Sequence, residues 1–363
     1  MRIRELKAVH YRNFPELELR DLRQKILIYG KNGSGKSNFL ELLYFSYVYR
    51  SFKNHREIHL CEYNENFFSV KLSDQSGEKK IIYFRDKGKK IFLNEEKQNP
   101  IPRFIPFLSS KIMIQFTSSL DFRRSFLDYL ISSVDEEYKA NLKQYFFILK
   151  EKKVIAARSF TRNNADKKFD INSVRNGFEM LNESLGKILV KIVKKRELYI
   201  NLINGFMKEF QTFWNYDLHY GTDYLKYDES ELLYILNSAF EKEIYSKRYS
   251  GCHNDQFTLR KDGELIENEG SFADYKLFFA LLNIACSYLV ERVTGEFPIF
   301  LSDDYFYEID DQNRKIFFEI LKNTVLMNMQ CFFTLSSPKN LPEINFETVY
   351  KIEDNNFYLV DLY

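Results

Sequence analysis

The sequence has little of what staples or anchors a protein. Its four cysteines, Cys61, Cys252, Cys286 and Cys331, lie far apart with no C-x-x-C pair. That spacing excludes a disulfide framework and a zinc ribbon and leaves reduced thiols as the simple reading. No apolar run approaches the ~20 residues that span a bilayer, and Met1-Arg2-Ile3-Arg4-Glu5-Leu6 lacks the apolar stretch of a signal peptide. A cytoplasmic protein with no membrane partner is expected. Charge of one sign is also missing: 53 basic against 51 acidic residues give a net charge of +2, so any nucleic-acid contact must come from local patches rather than a global field. The five histidines (His10, His55, His59, His219, His253) show no metal-ligand spacing, and no Ser-His-Asp or glycosidase arrangement is legible. Internal repeats and low-complexity segments are absent.

What is present is a globular chain of 363 residues, 45% hydrophobic and 29% charged, long enough to bury a sizeable core. Ile3 to Leu19 alternates apolar and polar residues around Asn13-Phe14-Pro15 and reads as a hairpin or two strands. Lys25–Tyr29 is a short buried strand, and Phe67 to Leu93 has β character with turn signals at Ser76-Gly77 and Lys87-Gly88. From Arg123 to about Phe213 the pattern turns helical, with Leu185, Ile188, Ile192, Tyr199, Ile203, Phe206 and Phe210 on one face. Strand signals return at Gln256–Arg260, an apolar helix runs from Leu277 to Val290, and Pro298–Leu301 reads as a buried strand ending in Asp303-Asp304. A helix over Asn313–Asn323 and a strand over Gln330–Leu335 follow. Strands alternating with helices imply an α/β head with a parallel sheet.

The chemistry is carried by Gly30-Lys31-Asn32-Gly33-Ser34-Gly35-Lys36-Ser37, which matches G-x-x-x-x-G-K-[ST] at every fixed position. Glycines allow the tight turn that points successive N–H groups at phosphate oxygens, and the helix that follows adds its positive end. Lys36 is expected to reach the β- and γ-phosphates of ATP and Ser37 to ligate Mg²⁺. A second carboxylate is expected from a neighbouring strand. Asp303 would hold the metal directly or through water, and Asp304 would orient or deprotonate the attacking water. A chance Gly-rich turn and an ordinary acidic strand end are the bland alternatives; the flanking strand and helix favour the nucleotide site.

Taken in order, these segments resemble the RecF family of recombination-repair ATPases, whose head is of the ABC type shared with SMC proteins. Leu6 to Phe14, ending in Arg-Asn-Phe, is similar to the family's opening strand, and Gly30 to Leu43 to its P-loop with the Asn-Phe-Leu-Glu continuation. Arg50-Ser51-Phe52-Lys53, Arg123-Arg124-Ser125-Phe126-Leu127-Asp128, Gly251-Cys252-His253-Asn254-Asp255 and Asp303-Asp304 with Glu308-Ile309-Asp310 match further segments. The resemblance implies an ABC-type P-loop ATPase head, α/β, with an inserted helical subdomain. The head's first part would span 1–122, the helical insertion 123–245 and the head's second part 246–363. It implies an ATP-dependent homodimer that binds duplex or gapped DNA, works with RecR- and RecO-like proteins and helps load recombinase. Ser271 would open the signature segment that caps the partner's nucleotide, and Gln115 would be the Mg²⁺-sensing glutamine.

The signature segment departs from the family's S-Q-G-Q-Q-R: here it reads Ser271-Phe272-Ala273-Asp274-Tyr275-Lys276. A Cβ at Ala273 hinders close backbone approach, and Asp274 sets an anion near the partner's γ-phosphate, which repels it unless a cation intervenes. Weak or conditional DNA-dependent ATP hydrolysis is therefore expected. The alternative is a non-hydrolysing DNA- or partner-binding scaffold with a vestigial nucleotide site; another kind of ABC-type ATPase is a third reading. For DNA contact the candidates are the basic residues Lys150, Lys152, Lys153, Arg158, Arg162, Lys167 and Lys168, and a second cluster of Lys191, Lys194, Lys195 and Arg196. For either cluster alone a solvated helix face is at least as good a reading.

Overall fold

The computed structural model describes residues 1–53, 56–99, 101–161, 171–211, 213–306, 309–337 and 344–360. The chain divides into two compact units. The first comprises Met1–Ser118, Gly205–Tyr216 and Lys261–Tyr363; the second comprises Ser119–Asn204 and Asp217–Arg260.

The first unit holds two six-stranded sheets. One is antiparallel, in the order β2-β1-β4-β5-β6-β7, built from β1 (Glu5–Tyr11), β2 (Phe14–Leu19), β4 (Phe67–Asp74), β5 (Gly77–Phe84), β6 (Gly88–Leu93) and β7 (Glu96–Gln98). Its strands alternate as half-buried strands must: Leu6 and Ala8 of β1 and Phe68, Val70 and Leu72 of β4 are buried, while Lys71 between them is exposed. The other sheet runs β15-β14-β3-β13-β12-β8, from β3 (Lys25–Tyr29), β8 (Phe107–Ser109), β12 (Phe300–Asp303), β13 (Cys331–Leu335), β14 (Thr348–Glu353) and β15 (Asn356–Val360). All its pairings are parallel except the last hairpin of β14 with β15. β3 and β13 are continuous apolar runs, the signature of strands covered on both faces.

Helix α1 (Lys36–Val48) is apolar nearly all round because it is covered on both sides. Phe45 meets Tyr11 and Phe68 of the antiparallel sheet, with ring centroids 6.4 and 5.6 Å away, and Phe39 lies 6.1 Å from Phe332 of β13. α2 (Ser110–Ser118) packs on α9 (Phe272–Thr294) through Phe116 and Phe279, 5.3 Å apart. The expected Leu277–Val290 helix is thus longer at both ends. By length and composition α9 is long and apolar enough to cross a bilayer, contrary to the reading of the sequence, but 72% of its apolar window is buried inside the protein, as in a core helix. β11 (Glu264–Leu265), α8 (Ile266–Glu269), α10 (Asp311–Asn323) and α11 (Val325–Asn328) complete this unit.

The second unit is built from α3 (Leu120–Val134), α4 (Glu136–Thr161), residues 171–204 of α5 (Ile171–Phe210), α6 (Glu229–Ser238) and α7 (Phe240–Ser246). Two neighbouring strands add a β element: β10 (Gln256–Lys261), expected over Gln256–Arg260, and β9 (Tyr216–Gly221), which the helical periodicity did not announce. At its centre Arg196 is buried. Its guanidinium donates to both Asp128 oxygens (2.8 and 3.0 Å), to Asp255 Oδ2 (2.7 Å) and to the Cys252 carbonyl (2.6 Å). Tyr220 and Thr222 donate to the same Asp255, each at 2.6 Å. Arg123 and Arg124 donate to the carbonyls of Phe257 and Asp255 at 2.6 and 2.8 Å. The two family-like segments 123–128 and 251–255 therefore meet in one buried polar network, in which every charge has a partner.

Candidate nucleotide site

The site is assembled at the carboxyl edge of the parallel sheet, where ligands bind in open α/β folds. Register fixes it: Tyr29 of β3 lies opposite Leu335 of β13, Asp303 of β12 opposite Thr334, and Ser109 of β8 opposite Asp303. The P-loop, Asp303-Asp304, Ser336 and Ser109 therefore emerge along a single edge. β13 stands between the P-loop strand and the acidic strand, so the carboxylates come from the second strand over and not, as expected, from an immediate neighbour.

Within the loop, Gly35 has φ 106° and a Cβ there would sit 2.5 Å from Asn13 Nδ2; a Cβ on Gly30 would sit 2.5 Å from the Ile352 carbonyl oxygen. Both positions accept glycine alone. Gly35 is the N-cap of α1 and supplies no side-chain acceptor, so the first-turn amides are left for an anion. Lys31, Asn32 and Gly33 are exposed, Ser34 and Ser37 half-buried, and Lys36 buried. The Lys36 ammonium donates to the Gly30 and Lys31 carbonyls, at 2.6 and 3.0 Å. Burial lowers its proton affinity and the charges of Asp304 and Asp303 raise it in part.

Asp303 Oδ1 accepts from the Thr334 hydroxyl at 2.7 Å, and the Asp304 amide donates to the Thr334 carbonyl at 3.1 Å. Asp304 adopts φ 46°, an uncommon conformation for a residue with a side chain and one that clusters at functional sites. Burial and the neighbouring Asp303 push its carboxyl above the usual range, against the pull of Lys36 and Ser336. Two buried polar atoms here have no protein partner: Ser34 Oγ and Asp304 Oδ1. Buried polar atoms are normally satisfied, so these two mark where a polar ligand belongs. Ser34 lies in the phosphate loop and Asp304 next to Lys36, a donor set that suits a triphosphate and a hard cation.

Three segments noted in the sequence without a structural role converge behind the loop. Arg12 donates to the two oxygens of buried Glu41 at 2.9 and 3.0 Å, Ser51 Oγ donates to Glu41 Oε1 at 2.5 Å, and Lys53 Nζ lies 3.8 Å from Oε2. Asn38 Nδ2 donates to Asn13 Oδ1 at 2.7 Å and Lys53 to Asn38 Oδ1 at 2.9 Å. Arg-Asn-Phe, Asn-Phe-Leu-Glu and Arg-Ser-Phe-Lys are thus one clamp on α1. The signal was present: an acid in the middle of Phe39-Leu40-Glu41-Leu42-Leu43 has to be paired if the helix is buried.

Two other expected site residues lie in α2 and at the start of α9. Gln115 is in the second turn of α2, six residues past Ser109, about 9 Å along the helix; the strand end beside Asp303 carries Ser109 instead. Ser271 is exposed and caps α9: its Oγ accepts from the Asp274 amide at 3.2 Å, and Asp274 Oδ2 accepts from the Ser271 amide and hydroxyl, both at 2.8 Å. The cation left open for Asp274 is present. Lys261 Nζ and the Tyr216 hydroxyl both donate to its Oδ1 at 2.7 Å. Burial opposes its ionisation, but the bonds from Lys261, Tyr216 and Ser271 prevail and hold its pKa at about 2.

The basic clusters are also less free than counting implied. Lys152 is buried against Glu243 at 2.7 Å, Lys195 pairs with Asp135 at 2.7 Å, and Arg196 is the buried hub. Arg162, Lys167, Lys168, His55 and Glu308 lie outside the described residues, as does the side chain of Arg158.

Two sheets enclosing a P-loop helix, with Asp303-Asp304 on the second strand from β3 and a long buried helix, make the fold of an ABC-type P-loop ATPase head. The chain is similar along nearly its whole length to RecF: it is 26% identical over 347 residues to the DNA replication and repair protein RecF of Acholeplasma laidlawii, covering 92% of this chain and 94% of that protein. Among solved structures, the recombination mediator protein RecF with ATPrS superposes with a TM-score of 0.83 at 22% identity, over 99% of this chain and 98% of that one. The Smc head domain of Pyrococcus furiosus gives 0.52 at 14% identity, over 99% and 96%, a likeness of fold. No family model matches the chain.

Proposed function

We propose that this chain is an ATP-binding DNA repair and recombination protein of the RecF kind, with weak or conditional hydrolysis. The observation that carries the nucleotide is the pair of unpartnered buried atoms, Ser34 Oγ in the phosphate loop and Asp304 Oδ1 just past the end of β12. In this reading the amides from Gly30 to Ser37 cradle the phosphates and Lys36 exchanges its two carbonyl partners for β- and γ-phosphate oxygens. Ser37 and Asp303 hold Mg²⁺, which would supply charge neutralisation on the triphosphate. Asp304, whose carboxyl binds a proton more tightly than usual, is suited to accept one from an attacking water.

The relatives' names, a DNA replication and repair protein and a recombination mediator in the RecFOR pathway, support extending the proposal to DNA and to RecR- and RecO-like partners. Duplex or gapped DNA and recombinase loading rest on the family resemblance alone. ATP would bring two copies together, with Ser271 of each facing the other's nucleotide. The closed Ser271–Asp274 cap supports slow turnover, because the helix end that would receive a γ-phosphate already holds a carboxylate. The same cap favours the second reading, a non-hydrolysing scaffold. Sedimentation with and without Mg·ATP and gapped DNA, beside turnover measurements, tests the proposal. A mass that rises with ATP and slow DNA-stimulated turnover lost in Lys36→Ala support it; a mass rise without turnover selects the scaffold; no ATP-dependent change in either rejects it.

A further inference from the structure

The outer face of α4 carries two adjacent phenylalanines in solvent: Phe146 is 50% exposed and Phe147 59%. At 100° per residue, Lys143, Phe146, Phe147, Lys150 and Lys153 fall within an arc of about 120°, and Lys143 to Lys153 spans about 15 Å. That length matches about four nucleotides of backbone. All three lysines are exposed, and neither Lys143 nor Lys150 has an acidic partner among the described residues. The acids of α4's first turn are already neutralised, Glu136 by Lys139 at 2.9 Å and Glu137 by Lys191 and Lys195 at 3.5 and 3.6 Å. Glu151 sits at the margin of the stripe, half-buried.

We infer that this face is a stacking platform for unpaired DNA bases, flanked by lysines that hold the adjoining phosphates. The inference rests on the DNA-binding reading above and deepens it. Two bare aromatic rings set among unpaired cations match a polyanion with exposed π faces: a single strand, or the unpaired stretch of a gapped duplex. Stacked bases of an intact duplex offer no such faces, so the rings act on single-stranded DNA while the lysines act on both forms. Tyr145, buried beside them with its ring 5.3 Å from Phe146, anchors the platform by sharing a hydrogen bond with His253 at 2.5 Å.

The test uses the full chain with three labelled probes at fixed salt: an oligothymidine, a blunt duplex, and that duplex with a single-stranded gap. Phe146→Ala with Phe147→Ala is expected to weaken oligothymidine and gapped-duplex binding about 10-fold or more and blunt-duplex binding less than about 3-fold. Both side chains are exposed, so melting temperature should not move. Lys143→Gln with Lys150→Gln is expected to weaken all three probes and to flatten the salt dependence on oligothymidine by about 0.7 per lysine. Equal losses on all probes, or none, from the alanine pair overturn the platform while leaving DNA binding intact. A change of sedimented mass or of protein-partner binding, with DNA affinity unaltered, assigns the face to a protein and equally overturns it. Wild-type protein that binds none of the probes overturns the DNA reading and the platform together.

Discussion

Lys276 and Tyr305 exchange hydrogen bonds: the buried ammonium donates to the Tyr305 carbonyl at 2.9 Å, and the Tyr305 hydroxyl donates to the Lys276 carbonyl at 2.8 Å. The last residue of the signature-like segment is thereby bolted to the turn that follows Asp303-Asp304. Tyr305→Phe leaves one bond unmade and is expected to lower unfolding free energy by about 0.5–1.5 kcal/mol. Urea denaturation checks it, with Mg·ATP affinity unchanged.

Glu41 is the keystone of the clamp behind the P-loop. Glu41→Ala strands the Arg12 guanidinium beside Ser51 and Lys53 and is expected to cost about 3–5 kcal/mol. Ser51→Ala, which removes one of several donors, should cost only about 1 kcal/mol. Comparing the two denaturation midpoints checks the ranking.

Asp274 titrates at about 2 in the folded protein, below its ordinary 3.8. A carboxyl depressed by folding stabilises the fold above the unfolded pKa and loses that contribution as pH falls through the folded one. The stability gap between wild type and Asp274→Asn should therefore be full at pH 5 and shrink between about pH 4 and 2. Denaturation series across that window measure it.

Asp304 has the opposite sign. Its carboxyl is raised by burial and by Asp303, so its ionised form opposes folding at neutral pH and the penalty disappears below the unfolded pKa. Asp304→Asn should stabilise the nucleotide-free protein at pH 7, by about 0.5–1 kcal/mol given the half-exposed position. Asn also tolerates the φ of 46°. The same variant should keep ATP binding and lose turnover, so a higher melting temperature with no phosphate release is the expected outcome.

What could be read in the sequence was local. Gly30 to Ser37 sits between its own strand and helix, and the apolar run before Asp303 announces a strand end, so both were legible without partners. Strand order was not: that β13, some thirty residues after β12, inserts between it and β3 is decided by sheet pairing, which no window along the chain contains. Charge pairing was hidden for the same reason. Arg196 and Lys152 each look like one more cation in a basic run, but their partners Asp128, Asp255 and Glu243 lie 59 to 91 residues away. Counting cannot tell such an arginine from exposed Lys194. The partners of Asp274 were hidden because Lys261 and Tyr216 come from separate segments. α9 was legible as an apolar helix over Leu277–Val290, and the structure extends it to Phe272–Thr294.

The most direct test is titration calorimetry of the full chain with Mg·ATP, wild type beside Lys36→Ala. Saturable heat at one nucleotide per chain, lost or weakened at least about 10-fold in the variant, is the expected result. Equal heats from both proteins, or no heat from the wild type, would contradict a triphosphate held between the amides that follow Gly30 and the carboxylates that end β12.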